Sequence, residues 1–122
     1  MVTRTDERIE RFRTEFLPKL TAVFHPTLVL AFGSRARGES LSHSDLDLLI
    51  VSDAFEGVRW LDRPVKVIEL IGISFGVDVL CYTPQEYARK REEFGVVRTA
   101  TEEGVALLDA QQDGGKGSGV AL

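Results

Sequence analysis

The stretch GSRARGESLSHSDLDLLIV, residues 33–51, carries a glycine–serine pair ahead of two aspartates that are separated by one residue. The run from Asp45 to Val51 is otherwise apolar on both faces, which predicts a central strand with helices on either side. Residues at i and i+2 of a strand point to the same face, with Cα atoms about 6–7 Å apart. The carboxylates of Asp45 and Asp47 can therefore reach one small volume.

Two carboxylates this close repel each other unless a cation offsets their charge. Hard oxygen ligands suit Mg²⁺, which keeps coordination positions open for water and phosphate. The simpler interpretation is a strand edge with two solvated acids, because charged side chains are usually exposed. The residues that precede Asp45 and Asp47 favour a metal and phosphate site instead.

The turn before the aspartates has the composition of a phosphate-binding segment. Gly33 lets the backbone approach a ligand closely, and Ser34 offers a hydroxyl and an amide to phosphate oxygens. Arg35 and Arg37 have guanidinium groups whose geometry matches phosphate. Either arginine can instead be a solvated loop residue, and the sequence does not decide which one points inward.

A third acid, Asp78, lies in the run SFGVDVLCYT, residues 74–83, which predicts another strand centred on Val77 to Cys81. Val77 and Val79 point to the opposite face of that strand from Asp78. If this strand pairs with the one that carries Asp45 and Asp47, the three carboxylates converge. Asp78 can then accept a proton from an attacking hydroxyl, and the trio suits one or two metal ions, a pair being roughly 3.5–4 Å apart.

Apolar periodicity and turn residues predict the first elements of the chain. Apolar residues three and four apart indicate an amphipathic helix from Thr5 to Phe24, which Pro18 should bend or split. The β-rich run from Thr27 to Phe32 predicts a buried strand that ends at the glycine–serine turn.

Capping residues predict the remaining helices. Asp62 caps a helix that has Pro64 in its first turn and ends at Ile71. Thr83 and Glu86 form the pattern of a capping box for a helix that begins near Pro84. A further short helix is expected at residues 96–103.

Length and composition bound the setting. The chain has 122 residues, which predicts one compact domain over residues 1–110 and a flexible glycine-rich tail over 111–122. The formal net charge of −4 disfavours a long nucleic acid as ligand. The single cysteine, Cys81, cannot form an intrachain disulfide and is expected to be buried. No apolar run is long enough for a membrane span. The cytoplasm is therefore the expected location.

The segments FGSRARGESLSHSDLDLLIV and VDVLCYTPQEY together resemble the minimal nucleotidyltransferases of the DNA polymerase beta superfamily. The resemblance implies an α/β (α+β) fold, with a small mixed sheet flanked by helices. It also implies that Gly33 and Ser34 hold the triphosphate, that Asp45 and Asp47 bind Mg²⁺, and that Asp78 completes the metal site and activates the acceptor.

In that family the nucleotidyl group passes from a nucleoside triphosphate, most often ATP, to a hydroxyl. Many minimal members resemble the antitoxin of a toxin–antitoxin pair and can adenylylate a tyrosine of a HEPN-family partner. The resemblance thus implies an enzyme with a HEPN-type protein as partner. The alternatives are an antitoxin that neutralises its partner by binding alone and, third, transfer to a small hydroxylated molecule. Base preference, oligomeric state and the number of metal ions stay open.

Overall fold

The computed structural model describes residues 6–38 and 45–110 of the chain. The predicted tail, residues 111–122, lies outside the described residues, as do residues 1–5 and 39–44. None of the helices in the described ranges is both long enough and apolar enough to cross a membrane.

Four strands form one mixed sheet in the order β3-β2-β1-β4. They are β1 (Leu28–Phe32), β2 (Leu46–Val51), β3 (Val77–Tyr82) and β4 (Val105–Asp109). Strand β2 runs parallel to β3 and antiparallel to β1, and β1 is also antiparallel to β4. The predicted central position of β2 is confirmed, whereas the sequence analysis did not predict β4.

Helices cover both faces of this sheet. They are α1 (Glu7–Arg11), α2 (Leu17–Phe24), α3 (Gly33–Arg37), α4 (Asp62–Ile71), α5 (Pro84–Lys90) and α6 (Val96–Glu103), with a 3₁₀ turn at Asp53–Phe55. The predicted class, a small mixed sheet flanked by helices, is confirmed.

The predicted N-terminal helix is interrupted one turn earlier than expected. A π-helical segment, Phe12–Phe16, joins α1 to α2, and the N–H of Leu17 bonds the carbonyl of Phe12. Pro18 then lies in the first turn of α2, where its missing N–H is harmless. Since a proline ring clashes with the carbonyl of the preceding turn, the wider π turn relieves that clash.

Two apolar cores lie on opposite faces of the sheet. The larger core packs α1, α2 and α4 against Leu48, Ile50 and their neighbours on one face. The smaller core contains Leu49 and Val51 of β2, with residues of α5 and α6, on the other face. Side chains alternate along a strand, so Asp47 lies on the same face as Leu49. Asp47 therefore lies on the face of the sheet that α5 and α6 cover.

Helix α4 begins differently from the prediction. Its N-cap is Leu61, without a side-chain capping bond, and Asp62 is the first helical residue, where its carboxylate lies 3.2 Å from Arg59 Nε. Pro64 occupies the first turn and Gly72 ends the helix, as predicted. The negative charge of Asp62 in the first turn interacts favourably with the helix dipole. This interaction takes the place of the predicted side-chain cap.

Helix α5 and strand β3 are joined to α4 by one buried arginine. The predicted capping box of α5 is confirmed, because Thr83 Oγ1 accepts from the Glu86 N–H and Glu86 Oε1 accepts from the Thr83 N–H. Arg63 donates to Glu86 at 2.6 and 3.2 Å and to the Cys81 carbonyl at 3.1 Å. The Cys81 side chain is buried, as predicted, and burial raises the pKa of its thiol to about 12.

Candidate active site

The junction of β1 and α3 brings the backbone against an aspartate. Gly33 begins α3 directly after Phe32 and has φ +79°, a left-handed conformation that favours glycine. A Cβ atom at this position would collide with Oδ2 of Asp47. Ser34 follows, half-buried in the first turn of α3. Glycine at 33 thus permits both the turn and the approach of the carboxylate.

The parallel pairing of β2 and β3 brings two of the predicted acids side by side. Asp47 is the register partner of Asp78, so their Cα atoms lie about 4.8 Å apart on one face. Asp45 lies just before β2, where the Leu46 N–H bonds the Gly76 carbonyl at 3.0 Å. A Cβ atom on Gly76 would collide with Oδ1 of Asp45. Two glycines therefore make room for two of the three carboxylates.

The electrostatic environment of Asp47 reflects this crowding. Burial is the largest cause that raises the pKa of Asp47, followed by the negative charges of Asp78 and Asp45. The positive charge of Arg37 acts in the opposite direction. A bound cation would remove the repulsion that burial and the two neighbouring acids impose on this carboxylate.

The donor set fits a magnesium ion in its chemistry. Carboxylate oxygens are the protein ligands that Mg²⁺ prefers, and one or two of them suffice when phosphate and water complete the coordination. Within residues 6–38 and 45–110, no three acidic, histidine or cysteine side chains are already gathered closely enough to hold a metal ion. Asp45 and Asp78 are exposed, so packing does not prevent either carboxylate from turning towards Asp47.

The two candidate arginines have different surroundings. The Arg35 side chain is 3% exposed, and its guanidinium lies 2.9 Å from Oδ2 and 3.1 Å from Oδ1 of Asp6. Arg37 is exposed and close enough to Asp47 to influence its pKa. Arg35 therefore has a structural contact that was not predicted from the sequence, and Arg37 is the arginine whose charge lowers the pKa of Asp47.

Three contributors to the site were missed from the sequence. Asp6 caps α1, accepting from the N–H groups of Arg8 and Ile9, and an acid before an amphipathic helix is a signal that predicts such a cap. Its contact with Arg35 spans 29 positions of sequence and has no local signal. Gly76 was a detectable candidate, since it stands two residues before Asp78. The residues of α6 near Gly33 were expected only as a helix.

Comparison with known families agrees with this geometry. The model of the nucleotidyltransferase domain family matches residues 9–110, which include all the predicted site residues. The chain belongs to the nucleotidyltransferase domain family. The generic activity of this family, nucleotidyl transfer, accounts for acids beside a glycine–serine turn. The chain matches none of the curated proteins with which it was compared.

Two solved structures are similar to this nucleotidyltransferase domain, and one of them is itself described as a nucleotidyltransferase. A crystal structure from Sulfolobus solfataricus, provisionally named a nucleotidyltransferase, shares 28% identity and a TM-score of 0.51, over 67% of this chain and 73% of that one. The BolA domain of SufE1 from Arabidopsis thaliana is similar at 21% identity and a TM-score of 0.50, over 68% of this chain and 99% of that domain. The second likeness concerns the fold alone.

Proposed function

We propose that this nucleotidyltransferase domain transfers AMP from ATP, with Mg²⁺, to a tyrosine hydroxyl of a HEPN-type partner protein. The observation that carries the proposal is the register of Asp47 with Asp78, next to the contact of Asp47 with Gly33. This geometry supports the proposal because it brings Asp47, the proposed metal ligand, between Gly33, in the proposed phosphate-binding turn, and Asp78, the proposed proton acceptor.

Each residue then has a separate task. Magnesium, when bound by Asp45 and Asp47, supplies positive charge to the phosphate oxygens. Gly33 and Ser34 bind the triphosphate, and Arg37 offsets part of its negative charge. Asp78 accepts the proton of the acceptor hydroxyl as the oxygen bonds to the α-phosphorus and the bond from that phosphorus to pyrophosphate breaks.

The exposure of the site supports a macromolecular acceptor. Asp45 and Asp78 are both exposed, and Asp78 lies on β3, an edge strand of the sheet. A hydroxyl carried by another protein can reach an edge strand without entering a closed cavity. A small acceptor is normally held in a concave pocket that buries most of its surface.

The test is transfer of label from α-labelled ATP, with Mg²⁺, to a co-purified HEPN-type partner. We expect Asp47→Asn to lower the transfer rate at least about 100-fold, because the variant removes a charged ligand from the site. The matched control is Asp53→Asn, an exposed acid in the 3₁₀ turn, which should transfer at the wild-type rate.

Circular dichroism and thermal unfolding establish that both variants are folded. Full transfer by Asp47→Asn would contradict the proposed chemistry. Tight binding and neutralisation of the partner by wild type and by Asp47→Asn, with label on neither protein, would instead favour the non-catalytic antitoxin.

A further inference from the structure

A small cavity adjoins the proposed catalytic acids on the same face of the sheet. Its volume is about 200 Å³. Phe32, Gly33 and Arg37 line one side of it, and Val96, Thr99 and Glu103 line the other. We call this cavity the α6 pocket. The three residues of α6 are three and four positions apart, so they form one stripe along the helix.

The position of the α6 pocket follows from the strand register. Phe32 on β1 is the partner of Asp47 on β2, which is in turn the partner of Asp78 on β3. Paired residues lie on the same face of a sheet, about 4.8 Å apart. The pocket and Asp78 therefore flank Asp47 from opposite sides.

Helix α6 is held over β1 by a tight turn. A Cβ atom on Gly104 would lie 2.5 Å from the Ala100 carbonyl oxygen and 3.0 Å from that of Ala31. The Gly104 N–H also bonds the Ala100 carbonyl at 2.8 Å. The chain enters β4 directly after this glycine, so α6 and the pocket wall it forms have a fixed distance from the sheet.

The arrangement assigns the pocket to the donor nucleotide rather than to the acceptor. In the proposed reaction Asp78 receives the proton of the acceptor, so the acceptor hydroxyl approaches from the β3 side of Asp47. The α6 pocket lies on the β1 side, which leaves it to a part of the nucleoside triphosphate. At about 200 Å³ it is smaller than the 300–1,000 Å³ typical of a pocket for a whole ligand, so it can hold one group only.

The chemistry of the walls identifies that group. Gly33 and Arg37, which are proposed above to contact the triphosphate, also line the pocket, so the group that it holds must adjoin the phosphates. Phe32 and Val96 offer apolar surface, which suits a planar ring and gives no hydrogen bond to a phosphate. Glu103 adds a negative charge that repels the triphosphate but accepts a hydrogen bond from an amino group. A nucleobase with an exocyclic amine has both properties.

The geometry points to the α6 pocket as the nucleobase subsite, with Glu103 as the residue that selects bases carrying an exocyclic amine. This inference rests on the proposed nucleotidyl transfer and adds to it the part of the donor that is recognised. Uracil lacks the amine and is the base that this subsite disfavours.

The first test fills the pocket and compares two ligands. Thr99 is exposed on α6, so Thr99→Trp introduces an indole without disturbing the core. We expect this variant to weaken the binding of Mg²⁺–ATP at least about tenfold more than the binding of Mg²⁺–tripolyphosphate, which has no base. Glu102→Trp, on an exposed position of the same helix outside the pocket, is the control and should bind both ligands normally.

The second test addresses base choice. Glu103→Ala should lower the affinity for ATP about tenfold relative to the affinity for UTP, because only ATP loses a hydrogen bond to a charged acceptor, whereas the loss of the negative charge acts equally on both triphosphates. Glu102→Ala should change neither affinity. Isothermal titration calorimetry in the presence of Mg²⁺ measures each binding constant.

The outcomes separate this inference from the proposed function. Unchanged ATP affinity in Thr99→Trp, or equal losses for ATP and tripolyphosphate, overturns the nucleobase subsite even if label transfer persists. Equal effects of Glu103→Ala on ATP and UTP overturn the role of Glu103. Failure of the wild type to bind either ATP or tripolyphosphate, together with absence of transfer, overturns both proposals.

Discussion

The two ends of the paired strands β2 and β3 carry charge in opposite ways. At their amino ends Asp47 lies beside Asp78, and burial together with like charges raises the pKa of Asp47. At their carboxyl ends Arg63 binds Glu86, and its hydrogen bond is the largest cause that lowers the pKa of Glu86. The amino end contains repulsion that an added cation relieves, whereas the carboxyl end is already neutralised. The first arrangement suits binding, and the second stabilises the fold.

The largest expected effect comes from disturbing the amino end. Gly33→Ala should lower the rate of nucleotidyl transfer about 100-fold, because the new methyl group displaces the carboxylate of Asp47 from its position. The label-transfer assay measures this loss.

Gly38→Ala provides the matched control for that variant. Gly38 has φ +75°, close to that of Gly33, but a Cβ atom there has no neighbour within 4 Å among the residues that the structure describes. This variant should lose about 1 kcal/mol of stability through backbone strain and keep its transfer rate. Equal losses of activity in both variants would show that strain, and not the Asp47 contact, matters.

The carboxyl end should respond in stability. Arg63→Met should lower the free energy of unfolding by about 2–3 kcal/mol, since it removes the buried guanidinium that donates to Glu86 and to the Cys81 carbonyl. Arg59→Met removes the exposed pair with Asp62 and should cost less than about 0.5 kcal/mol. Urea denaturation of both variants measures the contrast, and equal costs would refute the structural role of Arg63.

The smallest effect is a pH dependence at the same end. The pKa of Glu86 is lowered in the folded protein, so its ion pair adds stability above the unfolded pKa of 4.5 and loses it as the pH falls through the folded pKa. Glu86→Gln should therefore lower the free energy of unfolding by about 1 kcal/mol at pH 7, a value reduced for partial exposure, and by almost nothing once the wild-type carboxyl is protonated. Unfolding curves across this range test the sign, with Glu93→Gln as an exposed control.

Local signals were sufficient for much of the fold. Alternating and continuous apolar runs located β1, β2 and β3, and the pair Thr83 and Glu86 located the start of α5. Strand β4 was missed because its run, VALLD, is short and follows a helix closely, so only its pairing with β1 makes it a strand. The π-helical segment was missed because its cause, Pro18, lies beyond its end.

The site divides in the same manner. Strand periodicity predicted that Asp45 and Asp47 share a face, and the neighbouring parallel strand brought Asp78 beside Asp47 as the sequence analysis required. The choice between Arg35 and Arg37 could not be made, because it depends on Asp6, a residue distant in sequence. Contacts that the backbone period dictates were predictable, and those set by tertiary packing were not.

The burial of Cys81 has a consequence for spectroscopy. It is the chain's only cysteine, and a thiol whose pKa is raised to about 12 stays protonated and unreactive towards maleimides at neutral pH. A cysteine introduced at Phe94, which is 92% exposed, would therefore be labelled alone, without removal of the native residue. A fluorescent dye at that position would give a signal with no background from a second labelled site.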